Sequence, residues 1–462
     1  MDPYISAVAL AAMLRSREVS AREVLTDHLD RIDRINPGLN AIVTLDAERA
    51  LAEAGALDEA AARGSFAGPL HGLPIAVKDL ADTAGMRTTY GSALFADHVP
   101  AADAPFVANL RSAGAVVLGK TNTPEFATGS QTFNKVFGVT RNPYDPALTP
   151  GGSSGGAASA VAAGLLPFAD GSDLAASVRN PAAFCNLIGL RTTPGLVPFD
   201  LFDPLFVAGP IARTAADAAL LLAGLCGRNS SLPLSRPDRP SDFLALRPAR
   251  LSGLRVAWTP DLGDLPVDPA VRAVLDTMRG TLESLGCQVS DAAPDLGMAD
   301  ETFQVLRARL MAQHAPLLKT GRDLLKPTLV WNIEKGLALT GGEIATALAR
   351  RAEVFQRMRA FLGRFDVLAL PTVQVPPFSI DQEWVEEIDG QPQATYVDWL
   401  RSCSRITVTA HPAISVPAGF TPEGLPVGLQ LVGPYGADRG LLEIAQAITE
   451  ATPYSTVHPA LT

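Results

Sequence analysis

Two serines and one lysine in this chain have the surroundings that nucleophilic chemistry requires. Ser153 lies in the run Pro150–Gly156 (PGGSSGG), and Ser177 follows 24 positions later in GSDLAASVRNPAAFC. Lys78 ends the apolar run GLPIAVK. A serine hydroxyl is a weak nucleophile until a neighbouring base takes its proton, and a neutral lysine amine is such a base. The three residues are therefore a candidate nucleophile, relay and base that need no histidine.

Lys78 can act as a base only while its amine is uncharged. At an ordinary pKa of about 10.4, roughly one lysine in 2,500 is neutral at pH 7. Burial lowers the pKa of a lysine by several units, and the preceding residues Leu73–Val77 are apolar. Asp79 would keep the amine charged if it faced Lys78. Because neighbours on a strand point to opposite faces, we expect Asp79 to face away.

The residues around the serine pair are expected to assist this chemistry. Gly151-Gly152 and Gly155-Gly156 would let the backbone take left-handed or otherwise strained conformations and let amide N–H groups approach a substrate oxygen. A helix that starts near Ser154 would add a positive field, which favours a developing alkoxide. Ser154 itself is expected to support the loop or to cap that helix.

The Gly/Ser run has three other interpretations. A flexible linker would not be flanked by apolar, structured sequence. The G-x-S-x-G elbow of α/β-hydrolases would make Ser153 the nucleophile, but it needs a strand directly before the serine. Asp145–Pro150 is instead rich in turn residues. A phosphate-binding loop would have a lysine after the glycines, where this chain has Ala157.

The composition excludes several classes of protein. The chain has 462 residues, of which 47% are hydrophobic and 19% charged, so it can bury a large core. Its net charge of −10 disfavours nucleic-acid binding. No apolar run approaches the length of a membrane span, and no basic segment precedes the short apolar run Val8–Leu14, so we expect neither a membrane protein nor a signal peptide.

Cysteine and histidine spacing gives no sign of a metal site. The four cysteines form no CxxC pair and the six histidines form no HxxxH or HxxH pair. We expect the cysteines to be buried free thiols in a reducing compartment, and the protein to be cytoplasmic. His411 precedes a proline and is expected to be a packed or loop residue rather than a catalytic one.

Short apolar strands alternate with helices along much of the chain, which favours an α/β fold. In the first 65 residues, Ser20 and Glu23 fit a capping box that starts a helix, and Asn36-Pro37-Gly38 is expected to end it. Strands are predicted at Ile75–Val77, Ala115–Leu118, Leu166–Phe168, Leu254–Trp258, Phe365–Thr372, Pro412–Ala418 and Leu425–Val432. Helices are predicted at Ala104–Ala113, Ser154–Ala163, Asp268–Leu285, within Asp300–Leu362, and at Arg439–Glu450.

The motifs together resemble those of the amidase signature family. GGSSGG is preceded by GLPIAVKD and followed by GSDLAASVRNPAAFC. Further similar segments lie in the same order, at Lys120–Phe126, Thr140–Asp145, Gly209–Thr214, Asp366–Thr372 and His411–Leu431. The likeness spans nearly the whole chain and is loosest between Arg228 and Arg364.

This resemblance implies one domain, 1–462, with an α/β fold in which helices cover both sides of a mixed, twisted central sheet. An N-terminal helical segment would occupy 1–65 and the catalytic core 66–227. A variable, mainly helical middle would occupy 228–364, and the C-terminal part of the core 365–462.

The resemblance also assigns roles to residues. Lys78 would be the general base, Ser153 the relay serine with a cis peptide bond before it, and Ser177 the acylated nucleophile. Backbone N–H groups of four residues would form the oxyanion hole, namely Leu174, Ala175, Ala176 and Ser177. Asp173 and Arg179 would brace that loop from below.

Ala175-Ala176 departs from the family pattern, which commonly has Gly-Gly before the nucleophile. If either position needed a positive φ, alanine would cost roughly 1 kcal/mol or more. The oxyanion donors would then be displaced. The methyl groups could otherwise simply narrow the acyl pocket. Phe199, Phe202 and Phe206 are candidates for lining that pocket, with plain packing as the equal alternative.

The implied activity is hydrolysis of a carbon–nitrogen amide bond through an acyl-enzyme, with no metal or organic cofactor. The substrate would be a small-molecule amide or carbamate, and a homodimer is possible. Three alternatives remain open: a carbamate, urea-derivative or ester hydrolase on the same triad, an amidotransferase subunit that supplies ammonia to a partner, and a catalytically silent scaffold or binding protein.

Overall fold

The computed structural model describes residues 1–199 and 203–461. Its strands are β1 Ile42–Leu45, β2 Pro74–Lys78, β3 Val116–Thr121, β4 Phe133–Asn134, β5 Gly138–Val139, β6 Phe168–Asp173, β7 Ile188–Arg191, β8 Val207–Ala212, β9 Arg255–Trp258, β10 Gln288–Asp291, β11 Val367–Pro371, β12 Glu387–Ile388, β13 Gln391–Pro392, β14 Ala413–Phe420 and β15 Pro426–Val432. Its α-helices are α1 Ala7–Ser16, α2 Ala21–Leu39, α3 Ala47–Ala62, α4 Pro105–Ser112, α5 Gly155–Ala162, α6 Arg179–Phe184, α7 Ala215–Leu225, α8 Pro269–Ser284, α9 Ala299–Met311, α10 Leu317–Gly321, α11 Pro327–Leu337, α12 Gly341–Leu362, α13 Arg401–Val408 and α14 Asp438–Ala451.

Eight strands form the large central sheet, in the order β10-β9-β11-β15-β14-β7-β8-β6. The pairs β10/β9 and β9/β11 are parallel, and the remaining pairs are antiparallel. The sheet is therefore mixed, which confirms the expected fold class. Strands on either side of the middle segment, such as β7 and β14, are direct neighbours in it.

Side chains of β11 alternate between the two faces of this sheet, as the two-residue period of a strand requires. Val367 and Ala369 pack in the cluster that includes residues of α7, α8 and α14. Leu368 and Leu370 pack in a second cluster with residues of α9, α12 and α13. Helices therefore cover both faces, and all four of these β11 side chains are buried.

A second, three-stranded sheet carries Lys78. Its order is β1-β3-β2, with β1 antiparallel and β2 parallel to β3. Lys78 is the last residue of β2, at the edge of this sheet. Its backbone N–H donates to Asp170 Oδ1 in β6 over 3.1 Å, which links the small sheet to the large one. The two sheets together thus bring β2 beside β6.

Local sequence signals explain several element boundaries. The capping box of Ser20 and Glu23 is present and starts α2. The expected end at Asn36-Pro37-Gly38 is wrong, because α2 continues through Pro37 to Leu39. Asn40 then ends it in the left-handed conformation (φ 52°), with its N–H bonded to the Asn36 carbonyl. Asparagine tolerates this conformation better than most residues, so it terminates the helix.

The strand predicted at Leu166–Phe168 is displaced, because β6 begins at Phe168 and continues through polar residues to Asp173. All six of its residues are buried, and the polar ones are accommodated by the site described below. All four cysteines are buried and unpaired, as expected. Among the described residues, no helix has the length and apolar character that crossing a membrane requires.

Candidate active site

The amine of Lys78 lies among three serine hydroxyls. Its Nζ is 2.7 Å from Ser153 Oγ, 2.9 Å from Ser154 Oγ and 3.0 Å from Ser172 Oγ. Lys78 is 1% exposed and the three serines are buried. The structure therefore brings together the lysine and the first serine that the sequence singled out, although 75 positions separate them.

This arrangement suits an amine that exchanges a proton. A charged ammonium has three N–H donors and no acceptor, and it can donate to all three hydroxyls. A neutral amine has only two N–H groups and one lone pair. One of the three hydroxyls must then donate its own hydrogen to Nζ. The contact to Ser153 is the shortest of the three, which makes it the best placed for that exchange.

Burial favours the neutral form of Lys78. It lowers the pKa of this amine to about 7, although Asp170 and Asp173 act in the opposite direction by favouring the charged form. Asp79, the next residue, is hydrogen bonded to the N–H and the hydroxyl of Thr89. Asp79 therefore faces away from the amine, as expected from strand geometry.

Hydroxyl groups of a neighbouring loop hold the backbone directly before Ser153. Ser130 Oγ donates to the Gly152 carbonyl at 2.6 Å, and Thr132 Oγ1 donates to the Gly151 carbonyl at 2.9 Å. The Gly152–Ser153 peptide bond is cis, as the resemblance implied for the relay serine. The serine hydroxyl thus stands on a backbone that is fixed through both preceding carbonyl groups.

The glycines of this loop serve close packing more than unusual backbone angles. Only Gly151 of the four has a positive φ, 78°. A Cβ atom at Gly155 would lie 2.4 Å from Thr132 Oγ1, and one at Gly156 would lie 2.3 Å from the Asn122 backbone nitrogen. The expected left-handed conformation is thus found at Gly151 alone. Gly155 and Gly156 instead let the first turn of α5 approach the neighbouring loop and backbone.

Ser154 precedes α5 but does not cap it with its side chain. Its Oγ accepts from the Ser172 N–H at 3.3 Å and contacts the Lys78 amine. Its own N–H donates to the Ser177 carbonyl at 3.2 Å. Of its two expected roles, Ser154 therefore fits the supporting one, because it joins Lys78 to the loop that contains Ser177.

Ser177 lies in the loop between β6 and α6 and is 7% exposed. Within residues 1–199 and 203–461, the N–H groups of Leu174, Ala175, Ala176 and Ser177 donate no hydrogen bond, whereas the next N–H, that of Val178, donates to Asp173 Oδ2. Free N–H groups next to a reactive hydroxyl are what an oxyanion hole requires. The four residues are thus available for that role.

Ala175 and Ala176 are not strained by replacing glycine. Neither has a positive φ, so a Cβ costs nothing in backbone conformation here. Ala176 is fully buried among apolar side chains, whereas Ala175 is only partly buried. Of the two consequences considered from the sequence, a displaced oxyanion hole has no basis in the backbone angles, and the methyl group of Ala175 does line the pocket described below.

Asp173 and Arg179 form a fully buried ion pair beneath this loop. Arg179 Nε and Nη2 lie 3.0 and 2.9 Å from the two carboxylate oxygens, and Nη2 also donates to the Ala175 carbonyl at 2.8 Å. Arg191 adds a bond to the Asp173 carbonyl at 2.6 Å. Because an amide C=O and its N–H point in opposite directions, holding the Ala175 carbonyl also orients the Ala176 N–H.

Two buried guanidinium groups, those of Arg179 and Arg191, keep the carboxylate of Asp173 charged inside the protein. Burial raises the pKa of Asp173, but Arg179 and Arg191 outweigh that effect and hold it at about 2. Asp173 is therefore ionised near neutral pH. The interpretation of Asp173 and Arg179 as a brace fits these contacts.

A pocket opens at Ser153 and Ser177. Its apolar lining includes Phe126, Leu174, Phe206, Met311, Val397 and Leu400. Thr128, Arg307 and Tyr396 add polar groups to the wall. Apolar clefts with a few polar groups that converge on reactive residues are typical of small-molecule sites.

The predicted aromatic residues differ in position. Phe206 lines this pocket, and together with Phe199 it also lines a second, outer cavity next to it. Phe202 lies outside the described residues. His411 is buried, with Nδ1 2.8 Å from the Thr409 carbonyl, and does not line the pocket, which agrees with a packed residue.

Sequence reasoning missed Ser172, Asp170 and Arg307. A two-residue period puts Asp170 and Ser172 on the same face of β6, and that face meets Lys78. This alternation is visible in the sequence, but the predicted strand Leu166–Phe168 ends before Asp170 and Ser172. Arg307 lies in the middle segment, where no motif marked it, and only the packing of α9 brings it to the pocket.

Comparisons with known proteins show which family this chain is similar to over nearly its whole length. The family model described as Amidase matches residues 23–442. The acylamidase of Rhodococcus erythropolis is 36% identical over 467 residues, covering 99% of this chain and 97% of that protein. A glutamyl-tRNA(Gln) amidotransferase subunit of Moorella thermoacetica is also 36% identical, and 99% of each chain is covered. The crystal structure of a bacterial aryl acylamidase of the amidase signature family superposes with a TM-score of 0.92, at 28% identity and 98% coverage of each chain.

Proposed function

This chain belongs to the amidase family and is a hydrolase of amide bonds, and we propose that it acts through Lys78, Ser153 and Ser177 by way of an acyl-enzyme. The observation that carries the proposal is the 2.7 Å contact between Lys78 Nζ and Ser153 Oγ. The contact lies in a buried site that opens into the same pocket as Ser177.

The first step is transfer of a proton to the lysine. Neutral Lys78 accepts the proton of Ser153 Oγ while Ser153 accepts the proton of Ser177 Oγ. A pKa of about 7 leaves a large fraction of the amine neutral near neutral pH. The charge that develops on the amine is stabilised by the hydroxyls of Ser154 and Ser172.

In the second step Ser177 Oγ attacks the amide carbonyl carbon. The C=O double bond becomes a C–O⁻ single bond, and the oxyanion accepts hydrogen bonds from free N–H groups between Leu174 and Ser177. Donors held in place before the reaction begins stabilise such a charge by several kcal/mol. The Asp173–Arg179 pair keeps this loop rigid through the Ala175 carbonyl.

The tetrahedral intermediate then breaks down. Lys78 returns its proton through Ser153 to the leaving nitrogen, the C–N bond breaks, and the amine departs. Water attacks the resulting ester of Ser177, with its proton passing through Ser153 to Lys78, and the carboxylic acid leaves as Ser177 regains its proton. The steps balance without a metal or an organic cofactor, and we propose that none is needed.

Active-serine labelling tests the nucleophile. A fluorophosphonate should form one adduct on the wild-type protein, located by peptide mass spectrometry at Ser177, and Ser177→Ala should form none and lose hydrolysis. Ser159→Ala is the matched control, because Ser159 is buried in α5 but bonds only to the Arg141 carbonyl. A stable adduct on Ser177→Ala contradicts the assignment. Labelling of the wild type also contradicts a catalytically silent scaffold.

An amidotransferase component is the second candidate, favoured by the full-length likeness to the glutamyl-tRNA(Gln) amidotransferase subunit of Moorella thermoacetica. Such a protein would release ammonia from glutamine in a complex. Glutaminase activity that appears only after partner proteins are added would support this candidate. Turnover of simple amides by the isolated chain supports the stand-alone hydrolase instead.

A hydrolysis screen separates the remaining alternatives. Aryl, aliphatic and amino-acid amides, carbamates, urea derivatives and esters differ only in the leaving group that the site must protonate. Ser177→Ala serves as the blank for each. We propose that amides are the preferred class, and higher kcat/KM for carbamates or esters than for every matched amide contradicts that preference. A cytoplasmic location and a homodimer stay predictions from the sequence.

A further inference from the structure

Arg307 is a buried cation in the wall of the active-site pocket. It belongs to α9 and is 4% exposed, yet it lines the same pocket as Ser153 and Ser177. Of the lining residues that the structure describes, it is the one with a charged side chain, and the others contribute apolar side chains, hydroxyls and backbone. A buried charge is costly unless an opposite charge compensates for it.

Among the described residues, only neutral groups contact this guanidinium. Nη1 donates to Asn332 Oδ1 and, at 2.7 Å, to Tyr396 Oη, and Nη2 donates to Gln304 Oε1 at 2.7 Å. The rings of Trp331 and Tyr396 lie 5.6 and 5.5 Å from its central carbon. In the described part of the chain, no carboxylate oxygen lies within 4.0 Å of Arg307, and its Nε is buried without a partner.

The donor count leaves capacity for a ligand. A guanidinium has five N–H groups. The contacts to Asn332, Tyr396 and Gln304 use three of them, so the Nε–H and one N–H of Nη2 remain. Two donors and one uncompensated charge are what a carboxylate complements.

Three other buried arginines, Arg179, Arg191 and Arg405, have carboxylate partners, whereas a fourth, Arg213, donates to three backbone carbonyl groups. Arg179 pairs with Asp173, and Arg405, which is 6% exposed, pairs with Asp264 and Asp300. Carboxylates therefore neutralise three of these guanidinium groups, and carbonyl oxygens of the protein hold the fourth, Arg213. Arg307 differs from these because it faces a pocket into which a ligand can bring the missing charge.

We propose that the substrate is an amide that bears a carboxylate, and that Arg307 binds this carboxylate in the pocket. The inference rests on the proposed function, since it names the substrate class of the same site. Because apolar side chains make up most of the wall, an apolar chain or ring joins the carboxylate to the scissile amide. The carboxylate can belong to the acyl part or to the amine part.

A structural role is the competing explanation. Arg307 joins α9 to α11 through Asn332 and reaches Tyr396, so its loss could loosen the pocket. A purely structural role predicts the same loss for neutral and anionic substrates. A carboxylate anchor predicts a loss confined to anionic substrates, expressed mainly in KM.

Two matched pairs of substrates test the proposal. In the first pair, succinic acid mono-4-nitroanilide has a carboxylate on the acyl side and butyric acid 4-nitroanilide is its neutral counterpart. In the second pair, 4-acetamidobenzoate has the carboxylate on the amine side and 4-acetamidoacetophenone is its neutral counterpart. For the wild type we expect kcat/KM to be about 30-fold or more higher for the anionic member of at least one pair. Arg307→Gln should bring that ratio to about one, and Arg307→Lys should retain part of it.

Arg309→Gln is the matched control, because Arg309 lies on the same helix but pairs with Asp203 and does not line the pocket. It should keep the wild-type ratio. If Arg307→Gln fails to fold, the wild type provides the test, because a bound ligand protects Ser177 from the fluorophosphonate. Benzoate should protect at a concentration at least tenfold lower than benzamide. Equal protection by the two compounds overturns the inference.

The outcomes separate the two proposals. If the wild type turns over the neutral substrates and yet shows, in both pairs, a kcat/KM for the anionic member no higher than for the neutral one, that result overturns the carboxylate inference. It leaves the amidase mechanism intact. An equal loss on both members of a pair in Arg307→Gln also overturns it. If the wild type neither turns over any substrate nor is labelled at Ser177, that result contradicts the mechanism. The carboxylate inference then fails with it.

Discussion

Asp170 accepts a hydrogen bond from the backbone N–H of Lys78, while the amine of the same lysine contacts serine hydroxyls and, among the residues that the structure describes, no carboxylate. The carboxylate is therefore close enough to act on the amine through space without holding it in an ion pair. Burial raises the pKa of Asp170 itself to about 6. The opposing effects of burial and of this carboxylate set the proton affinity of the proposed base.

The activity of the wild-type enzyme should depend on the neutral fraction of Lys78. Because the pKa of this amine lies at about 7, kcat/KM should rise about tenfold per pH unit well below pH 7 and level off above it. The measurement is a pH–rate profile with a substrate for which chemistry is limiting. A profile that stays flat from about pH 5 to 9 contradicts the lysine base.

Asp170→Asn should move this profile to lower pH. The carboxylate favours the charged form of Lys78, so its removal lowers the pKa of the amine and the rise in kcat/KM begins earlier. Asp79→Asn is the control, because that buried carboxylate bonds to Thr89 and faces away from the amine. A shift to higher pH in Asp170→Asn, or an equal shift in both variants, would argue against this role of Asp170.

Arg179→Met should destabilise the protein by about 3–5 kcal/mol, because it leaves Asp173 with one of its two buried counter-charges. Urea unfolding gives the free energy. The control is Arg255→Gln. The ion pair of Arg255 with Asp366 is solvent-exposed, and its loss should change the free energy of unfolding much less. Similar losses in the two variants would contradict the structural importance of the brace.

The same brace makes stability depend on pH in the acid range. The pKa of Asp173 is about 2 in the folded protein against an ordinary value of 3.8. Its stabilising contribution is therefore fully present above about pH 4 and is lost as the pH falls towards 2. In Arg179→Met this part of the acid dependence should be weaker.

Ala175→Gly should change specificity rather than relieve strain. Since Ala175 has no positive φ, glycine removes only a methyl group from the pocket and adds freedom to the unfolded chain, which costs about 0.5–1 kcal/mol. We expect kcat/KM for benzoyl anilides to rise relative to acetyl anilides. The control is Ala176→Gly, because Ala176 is buried outside the pocket. This variant should also lose stability but keep the wild-type ratio of kcat/KM for benzoyl over acetyl anilides. A large rise in kcat/KM for both kinds of anilide in Ala175→Gly would instead indicate that Ala175 is strained in the wild type.

Much of the fold could be predicted from short-range patterns. The apolar run before Lys78 predicted β2, and Ser20 with Glu23 predicted the start of α2, because a strand or a cap depends on residues a few positions apart. Short strands alternating with helices predicted the α/β class. The family motifs singled out Lys78, Ser153 and Ser177 by residue type and order.

Three strands of the central sheet escaped this reasoning, namely β7, β8 and the edge strand β10. β7 has the sequence IGLR, and β8 has a proline at Pro210, which argues against a central strand. Both are buried, and β8 lies between β7 and β6. Their conformation is set by the neighbouring strands with which they pair rather than by intrinsic preference.

By itself the sequence determined which groups can react: an amine after an apolar strand, hydroxyls among small residues, and N–H groups beside one of them. Only the tertiary structure decided that Ser172 and Asp170 share the environment of Lys78, that Ala175 is unstrained, and that Arg307 lines the pocket. The physical reason is that these features depend on the packing of segments far apart in the chain, where burial and the position of each charge arise, and local propensity has no information about either.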